Sequence, residues 1–443
     1  MIIMRDNIHN QKNSVGIIGL GTSGRSAIKY FKNFDYNIYV FDNNRVNNNI
    51  ADVKFLEPSL WPWEKIKELI VSPGIPVSQN SHPSIILAKS YNVPIIPEID
   101  LLARKKPKAK IIGITGTNGK STSTAMIAHV LKEFGLKCNI GGNFGIPASS
   151  IYDPGKDGYI IIEFSSFQLE ICKEIKLDGA IILNITPDHI DRHGDFLSYI
   201  KAKLNISNCL KKNAPLLINY DDINIKKNLE GFIKNRGKLI YFSNKNKYEI
   251  NFNSKAKINN ENISSLLLLL ENFGFNKNDV LRKINSFNGL PHRLELVTII
   301  KNNKFINDSK ATNAEATKSA LKQFTNIYWI AGGRSKTDGI NKIKDELKNV
   351  KKCYLIGESR FEFKKQIADE IPSNTFKKLN DAIDELYHDL KKENNATILF
   401  SPAAASFDQY NNFEMRGNDF KNLIFLKFNI KEKRSSDFLG ENS

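Results

Sequence analysis

The chain has few cysteines and no long apolar stretch. Four of its 443 residues are cysteines, at positions 138, 172, 209 and 353, and they form no CxxC pair. We therefore expect neither a disulfide framework nor a cysteine-only zinc site, and we expect a reducing compartment. The leucine run at 266–270 is too short to span a bilayer, and the polar N-terminal stretch lacks the apolar core of a signal peptide. These features predict a cytoplasmic protein without a membrane span.

The positive charge is spread along the whole chain. Lysine and arginine number 64 against 47 aspartate and glutamate residues, which gives a net charge of +17. An excess of this kind raises nucleic acid, an anionic membrane surface or small anionic substrates as partners. No basic block stands out except residues 104–108, which we interpret as part of a linker. We interpret the excess as a composition bias and expect no nucleic-acid partner.

Short apolar runs alternate with longer periodic segments nearly throughout the chain. Many of these runs end in Gly, Ser, Asp or Asn before a helical pattern begins, which is typical of βαβ units and parallel sheets. The predicted strands include residues 15–20, 38–41, 69–71, 111–114, 159–162, 180–183, 327–331, 354–356 and 396–400. Two predicted linkers, 101–110 and 288–292, divide the chain into domains at 1–105, 106–289 and 290–443. The pattern predicts an α/β protein of three domains.

The most informative stretch leads from a predicted strand through a glycine-rich turn into a predicted helix at 123–134. It reads Ile-Ile-Gly-Ile-Thr-Gly-Thr-Asn-Gly-Lys-Ser-Thr over residues 111–122. Glycines let backbone N–H groups approach phosphate oxygens, and a helix N-terminus adds its positive dipole end. Lys120 can place its ammonium on the terminal phosphates, and the hydroxyl of Ser121 or Thr122 can bind Mg²⁺. Ile114 replaces the first glycine of the strict GxxxxGK[ST] motif, so an ordinary βα turn is the alternative, but the order of these features favours phosphate binding.

Polar residues also follow two neighbouring predicted strands. Glu163 ends one strand, at the position where an NTPase of this type holds Mg²⁺ or its water shell. Ser165 and Gln168 have capping-box spacing, so Glu163 is alternatively a helix-start charge. His189 follows the next strand. Its side chain could bind a metal ion or a phosphate, and a structural role is the alternative. By composition alone, Lys203 is a solvated charge on a helix.

The N-terminal region carries a second glycine-rich turn. Residues 19–24 read Gly-Leu-Gly-Thr-Ser-Gly after a predicted strand, and Asp42 ends the next strand. A GxGxxG fingerprint followed by an acidic residue about 20 positions on is typical of a dinucleotide-binding unit. Its physical basis is a helix N-terminus that faces a pyrophosphate. The fingerprint alone therefore does not identify the nucleotide.

Several stretches together resemble the Mur ligases, the ATP-dependent ligases of peptidoglycan synthesis, and in particular the members that add D-glutamate. Besides residues 113–122, these stretches are 141–145, 163–170, 290–295, 307–313, 401–408 and 413–417. The similarity extends from about residue 16 to residue 420. The Asp-Asn-Pro-Arg motif expected of a diaminopimelate-adding member does not occur in the sequence.

The resemblance implies a fold and a reaction. It implies an N-terminal Rossmann-like domain that binds UDP, a central P-loop-like ATPase domain with a parallel sheet, and a C-terminal Rossmann-like domain that binds the amino acid. The expected reaction joins D-glutamate to UDP-N-acetylmuramoyl-L-alanine through an acyl phosphate and releases ADP and phosphate. ATP, two Mg²⁺ ions and a carbamate formed on Lys203 from CO₂ are the expected cofactors. The expected partners are these small molecules, with the protein a monomer that binds neither nucleic acid nor a membrane.

The resemblance also assigns roles to matching residues. The catalytic residues are Lys120, Glu163, His189 and Lys203, and the metal residues are Ser121, Thr122, Glu163, His189 and carbamylated Lys203. The ATP residues are Gly116, Thr117, Asn118, Gly119, Lys120, Ser121, Thr122, Asn259, Arg293 and Asp308. The residues for the UDP substrate are Leu20, Thr22, Asp42, Ser72, Gly74 and Asn143, and those for D-glutamate are Thr312, Lys336, Ser406 and Phe413.

Two departures and three alternatives stand beside this interpretation. Ile258 replaces the histidine of a His-Asn-x-x-Asn stretch. The loop after Arg192 is about one residue shorter than in the family, which affects the register of the match from His193 to Lys203. The first alternative is another Mur ligase or a folylpolyglutamate synthase-like ligase. The second is a nucleotide-dependent switch protein, for which ATP turnover would not need both co-substrates. The third is an NAD oxidoreductase that uses the first glycine-rich turn.

Overall fold

The computed structural model describes residues 13–43, 50–77, 82–229, 237–243, 245, 259–335, 339–367 and 370–429. Within these ranges the chain forms three β-sheets in two compact units. The first unit ends at Phe287 and the second begins at Asn288, inside the second predicted linker. No helix in the described ranges is long and apolar enough to cross a membrane. All four cysteines are buried free thiols.

The first sheet contains five parallel strands. They are β1 (Asn13–Ile18), β2 (Tyr36–Phe41), β3 (Val53–Phe55), β4 (Ile66–Val71) and β5 (Ile95–Pro97), in the order β3-β2-β1-β4-β5. Its helices are α1 (Thr22–Phe31), α2 (Pro83–Ser90) and α3 (Leu101–Arg104). Val15 and Ile17 pack with α1, while Leu69 packs with α2 in a separate apolar cluster. Because helices cover both faces, the central strands are nearly continuous apolar runs.

The second sheet contains six parallel strands. They are β6 (Lys110–Thr115), β7 (Cys138–Gly142), β8 (Tyr159–Glu163), β9 (Gly179–Ile182), β10 (Ala214–Asn219) and β11 (Gly237–Phe242), in the order β11-β10-β9-β6-β8-β7. Its helices are α4 (Lys120–Glu133), α5 (Ser166–Ile171), α6 (Ile190–His193), α7 (Phe196–Leu204), α8 (Ile223–Leu229), α9 (Asn260–Asn272) and α10 (Lys277–Ile284). Since β6 lies between β8 and β9, the residues that follow these three strands meet at one edge.

The second unit contains the third sheet. Its strands are β12 (Glu295–Ile300), β13 (Asn303–Asn307), β14 (Ile327–Gly332), β15 (Val350–Ile356), β16 (Ser373–Phe376) and β17 (Thr397–Phe400), in the order β12-β13-β17-β14-β15-β16. Its helices are α11 (Ala314–Leu321), α12 (Arg360–Ile367), α13 (Leu379–Asp389) and α14 (Phe413–Lys427). Only β12 is antiparallel to its neighbour. Trp329 and Ile330 point to opposite faces and lie in different apolar clusters.

The first predicted linker is packed into the first unit. Leu101 and Leu102 are fully buried. Arg104 Nη2 pairs with Glu68 of β4 at 2.7 Å and with Glu174 at 2.6 Å. The basic composition of this segment predicted a linker, and the segment does connect the first two sheets. Leu101, Leu102 and Arg104 therefore hold the segment in place between the first two sheets.

The α/β fold class is confirmed, with parallel strands dominating all three sheets. Each predicted apolar run contains a strand, with bounds that differ by a few residues. The predicted helix at 123–134 is found as α4, which begins earlier, at Lys120. That difference places the lysine in the first turn of the helix.

Candidate active site

The phosphate loop, defined here as residues 116–120, lies between β6 and α4 in the middle of the second sheet. Gly116 has a φ of 157° and Gly119 a φ of 83°, and glycine reaches such angles without a steric cost. Lys120 Nζ donates to the carbonyl oxygens of Gly116 at 2.9 Å and Thr117 at 2.8 Å. The lysine ammonium is thus held against the loop at the N-terminus of α4.

Ser121 and Glu163 meet beside the phosphate loop. Ser121 Oγ donates to Glu163 Oε2 at 2.5 Å, and Asn143 Nδ2 donates to Glu163 Oε1 at 2.7 Å. Glu163 is only 2% exposed. The capping box predicted for Ser165 and Gln168 is formed, so a helix does begin here. Glu163 nevertheless faces the first turn of α4, where phosphates would lie.

Lys203, on α7, is buried rather than solvated. Its Nζ donates to the Gly116 carbonyl oxygen at 2.7 Å. Burial, reinforced by the Lys120 ammonium, lowers the pKa of Lys203 well below the usual value for lysine, while Asp188 and Glu163 act in the opposite direction. A lowered pKa enlarges the neutral fraction of the amine near pH 7. The structure therefore brings Lys203 to the phosphate loop, 2.7 Å from the Gly116 carbonyl oxygen.

His189 and His193 have different environments. His189 directly precedes α6 with a φ of 53°, and its Nε2 lies 3.5 Å from Asp188 Oδ2 with the side chain 42% exposed. His193 is buried and its Nε2 lies 2.9 Å from Ser166 Oγ. Burial, together with nearby positive charge, lowers the pKa of His193 to about 4. His193 is therefore neutral near pH 7 and structural, whereas His189 is accessible.

The donor set fits a hard divalent cation. Ser121 and Glu163 offer hydroxyl and carboxylate oxygens at the carboxyl edge of the sheet, and Thr122 is the next residue. Mg²⁺ prefers oxygen ligands, keeps several waters and binds substrate phosphates, so the His189 nitrogen fits it less well. Among the described residues, no group of three or more His, Cys, Asp or Glu side chains could hold a metal ion alone. A magnesium ion held by Ser121 and Glu163 would take waters or substrate-phosphate oxygens as its other ligands.

A cavity of about 440 Å³ lies between the glycine-rich turn of the first sheet and the edge of the second sheet. Five residues predicted for the UDP substrate line it, namely Thr22, Asp42, Ser72, Gly74 and Asn143. Leu20 does not line the cavity, but its N–H donates to Asp42 Oδ2 at 2.6 Å. Phe41, His82 and Gln168 also line it. Sequence reasoning missed Phe41 and His82 because no motif marks them, and it assigned Gln168 only to a capping box. The volume suits a small-molecule site.

The second unit contains most of the remaining predicted residues. Arg293 precedes Leu294, whose N–H donates to Asp308 Oδ1 at 3.2 Å. Lys310 connects Thr312 and Phe413, because its carbonyl accepts the Thr312 N–H at 2.8 Å and its Nζ lies 4.0 Å from the Phe413 ring centre. Ser406 is buried. Lys336 and Ile258 lie outside the described residues, and Asn259 directly precedes α9 in the first unit.

Arg416 is a residue of this region to which the sequence assigned no role. It lies in the first turns of α14 and is 1% exposed. Its guanidinium donates to the carbonyl oxygens of Ser309 at 2.8 Å and Ala404 at 3.0 Å. It therefore joins the segments that carry Asp308 and Ser406. Its place within the stretch 413–417, which carries the resemblance, was the only signal, since a single arginine in a helix has no distinctive pattern.

Asp308 should make the second unit sensitive to pH. It is buried, and burial raises its pKa to about 7 although Ser401 Oγ donates to it. Since the unfolded carboxyl titrates near pH 4, the folded state binds more protons between about pH 4 and 7, and stability falls as pH rises, by at most about 1.4 kcal/mol per pH unit. Asp308→Asn should remove this slope.

The measurement is urea unfolding of the second unit between pH 5 and 8, followed by the fluorescence of Trp329. The other two tryptophans, Trp61 and Trp63, lie in the first unit, so both are replaced by phenylalanine in the parent and in the variant. Parallel pH profiles for the two proteins would show that Asp308 does not titrate in this range.

Comparison with known proteins identifies the family. Residues 114–278 match the model of the Mur ligase middle domain, and residues 292–404 match that of the Mur ligase glutamate ligase domain. The UDP-N-acetylmuramoylalanine–D-glutamate ligase of Rickettsia felis is 36% identical over 443 residues, covering 93% of this chain and 97% of that protein. The ligase of the same name from Rickettsia prowazekii is 35% identical over 443 residues, covering 93% and 98%.

A solved structure of similar fold is the MurF ligase from Thermotoga maritima in complex with ADP. Its TM-score is 0.58 at 16% sequence identity, covering 94% of this chain and 96% of that chain. At this identity the likeness concerns the fold alone. The two Mur ligase domains and the relatives that are at least 35% identical place the chain in the class of ATP-dependent amide ligases. The chain belongs to the Mur ligase family, and the family predicted from the sequence stretches is confirmed.

Proposed function

We propose that the chain joins D-glutamate to UDP-N-acetylmuramoyl-L-alanine at the expense of ATP, in peptidoglycan synthesis. The observation that carries this proposal is the convergence of Lys120, Ser121, Glu163 and Lys203 on one phosphate loop. It occurs in a chain that matches D-glutamate ligases over 93% of its length. Both the loop and the relatives support the same chemistry.

The chemical problem is that a carboxylate is a poor electrophile. In the proposed reaction, an oxygen of the L-alanine carboxylate attacks the γ-phosphorus of ATP, ADP leaves, and an acyl phosphate forms. The amine of D-glutamate then attacks the acyl carbon, the bond between that carbon and the phosphate oxygen breaks, and phosphate and a proton are released. Because several anions must approach one another, neutralising charge and positioning the substrates are the main catalytic tasks.

The phosphate loop and the residues beside it would neutralise the charge of the phosphates. The Lys120 ammonium would leave the loop carbonyls for the β- and γ-phosphate oxygens, while the N-terminus of α4 favours negative charge. Bound Mg²⁺ would neutralise the phosphates further, and Ser121, Thr122 and Glu163 would hold the ion or its waters. We assign His189 to the same site, where its accessible nitrogen lies beside Asp188.

Lys203 would act as a carbamate. The neutral amine attacks the carbon of CO₂, an N–C bond forms as one C–O π bond breaks, and one proton leaves, so the neutral amine becomes an anion with two oxygens. That anion lies beside Lys120, whose ammonium it would pair with, and its oxygens suit a second Mg²⁺. The lowered pKa of Lys203 supports this assignment because the protonated amine cannot react.

The UDP substrate would occupy the cavity between the first two sheets. The N-terminus of α1 would face the pyrophosphate, and Asp42 lies at the end of β2 where a sugar hydroxyl or base can be bound. Asn143 lines the cavity and also donates to Glu163, which connects the substrate cavity with the phosphate loop. We assign ATP contacts to Arg293 and Asp308, and D-glutamate contacts to Thr312, Lys336, Ser406 and Phe413, in a monomeric cytoplasmic enzyme.

An amino-acid panel tests the proposal against its nearest alternatives. Purified protein is incubated with ATP, Mg²⁺ and UDP-N-acetylmuramoyl-L-alanine, and D-glutamate, L-glutamate, L-lysine or meso-diaminopimelate is added in turn. Mass spectrometry should show the condensed product with D-glutamate only, with one ADP formed per product. A product with another amino acid would favour a different Mur ligase. A parallel incubation replaces the UDP substrate by a folate acceptor, and a product with L-glutamate there would favour a folylpolyglutamate synthase. ATP turnover without either co-substrate would favour a switch protein.

A further inference from the structure

The phosphate loop is braced by the side-chain amide of Asn184, which follows β9. The amide oxygen accepts the N–H groups of Thr117 at 3.1 Å and Asn118 at 2.9 Å. The amide nitrogen donates to the Asn118 carbonyl at 3.2 Å and to Glu261 Oε1 at 2.9 Å. The carboxamide therefore makes all four hydrogen bonds that an asparagine side chain can make. Its position fixes the shape of the first half of the loop.

Glu261 fixes the orientation of this amide from the other side. It lies in the first turn of α9, 77 residues further along the chain. A carboxylate only accepts hydrogen bonds, so a reversed amide would turn its oxygen toward Glu261 and its NH₂ toward two N–H donors. Both contacts would then be repulsive. The observed orientation is thus set jointly by the loop N–H groups and by the carboxylate.

The first turn of α9 touches the loop at a second point. Asn262 Nδ2 donates to the Gly119 carbonyl at 3.1 Å, and Asn262 is 2% exposed. The other carboxylate oxygen of Glu261 accepts Asn219 Nδ2 at 3.3 Å, at the end of β10. The start of α9 is therefore tied to the loop and to a neighbouring strand at the same edge of the sheet.

The charge of Glu261 is unfavourable for the binding of a polyanion. A carboxylate close to nucleotide phosphates opposes their binding by Coulomb repulsion. A direct contact between Glu261 and the phosphates therefore does not explain its presence, whereas the hydrogen bond to Asn184 does. We propose that Glu261 is a positioning residue that acts through Asn184 to hold the phosphate loop in its nucleotide-binding conformation. This inference rests on the proposed function, because ATP is the nucleotide it assumes.

The test compares Glu261→Ala, Glu261→Gln and the control Glu271→Ala with the parent protein, since Glu271 is an exposed carboxylate in the last turn of the same helix. Binding of a fluorescent ATP analogue is titrated, and KM is measured separately for ATP and for UDP-N-acetylmuramoyl-L-alanine. Loss of a hydrogen bond to a charged group should weaken nucleotide binding and raise the KM for ATP about tenfold in Glu261→Ala. The KM for the UDP substrate should change less than about twofold. Glutamine still offers an oxygen to Asn184, so Glu261→Gln should recover most of the affinity, and Glu271→Ala should match the parent within about twofold.

Three results would overturn the inference. They are an unchanged ATP affinity in Glu261→Ala, an equal rise in both KM values, and a Glu261→Gln variant as weak as the alanine variant. If Glu261→Ala does not fold, Asn184→Asp is tested in its place. The aspartate side chain still accepts the loop N–H groups but has no N–H to donate to Glu261. Asn184→Asp should show the same loss of ATP affinity, and a normal affinity would refute the role of Glu261. A parent that binds no nucleotide would instead refute the proposed function.

Discussion

Replacing Lys120 by alanine should lower kcat/KM for the ATP-driven ligation by about a thousandfold or more while the fold persists. The lysine is the cation that the loop holds at the N-terminus of α4. Removing one group that stabilises developing charge in an active site costs about 10²–10³ in rate, and here the same group would also bind the ground-state phosphates. Coupled assays of ADP release and product mass spectrometry measure the loss.

The matched control for this variant is Lys132→Ala. Lys132 is exposed in the last turn of the same helix, so its loss removes an equal charge far along α4 from the loop. The control should retain parent activity, and both variants should unfold within a few degrees of the parent. A Lys120→Ala enzyme within tenfold of the parent activity would contradict the role of the loop lysine.

Lys203 should carry a carbamate that disappears with the side chain. In ¹³C-labelled bicarbonate, the parent should give a carbamate carbon signal by NMR that Lys203→Ala lacks, and the variant should lose activity about 10²–10³-fold. An ordinary lysine, with a pKa near about 10.4, has a neutral fraction of roughly one in a thousand at pH 7.4. Burial of Lys203 increases that fraction, so carbamate should form near neutral pH and be lost on acidification.

Lys201→Ala is the control for this experiment. Lys201 is exposed two residues earlier on α7, and its removal should affect neither the signal nor the activity. A fully active parent enzyme without a carbamate signal, in saturating bicarbonate, would remove the assignment and leave Lys203 as a buried cation that supports the Gly116 carbonyl.

Local patterns were sufficient to predict nine of the seventeen strands in the described ranges and the glycine-rich turn before α4. Parallel strands covered on both faces are continuous apolar runs, and the strand, turn and helix of the loop are adjacent in sequence. The start of α4 was placed too late because a Lys-Ser-Thr run is a weak helix signal compared with the apolar pattern that follows it.

Long-range contacts were beyond sequence reasoning. By composition Lys203 was a solvated helix charge, and only the resemblance indicated its burial, because its neighbour Gly116 is 87 residues away. Asn184 and Glu261 carry no motif, and their contact depends on the order of strands in the sheet. Arg104, interpreted as part of a basic linker, is instead an ion-paired bridge, since its two glutamates come from separate segments.

The central claim is that the γ-phosphoryl group of ATP is transferred to the substrate carboxylate. The direct test uses UDP-N-acetylmuramoyl-L-alanine labelled with ¹⁸O in both carboxylate oxygens, with ATP, Mg²⁺ and D-glutamate. Transfer through an acyl phosphate predicts that the released phosphate contains one ¹⁸O atom per product formed and that the new amide retains the other. Unlabelled phosphate, formed while the condensed product accumulates, would contradict the account.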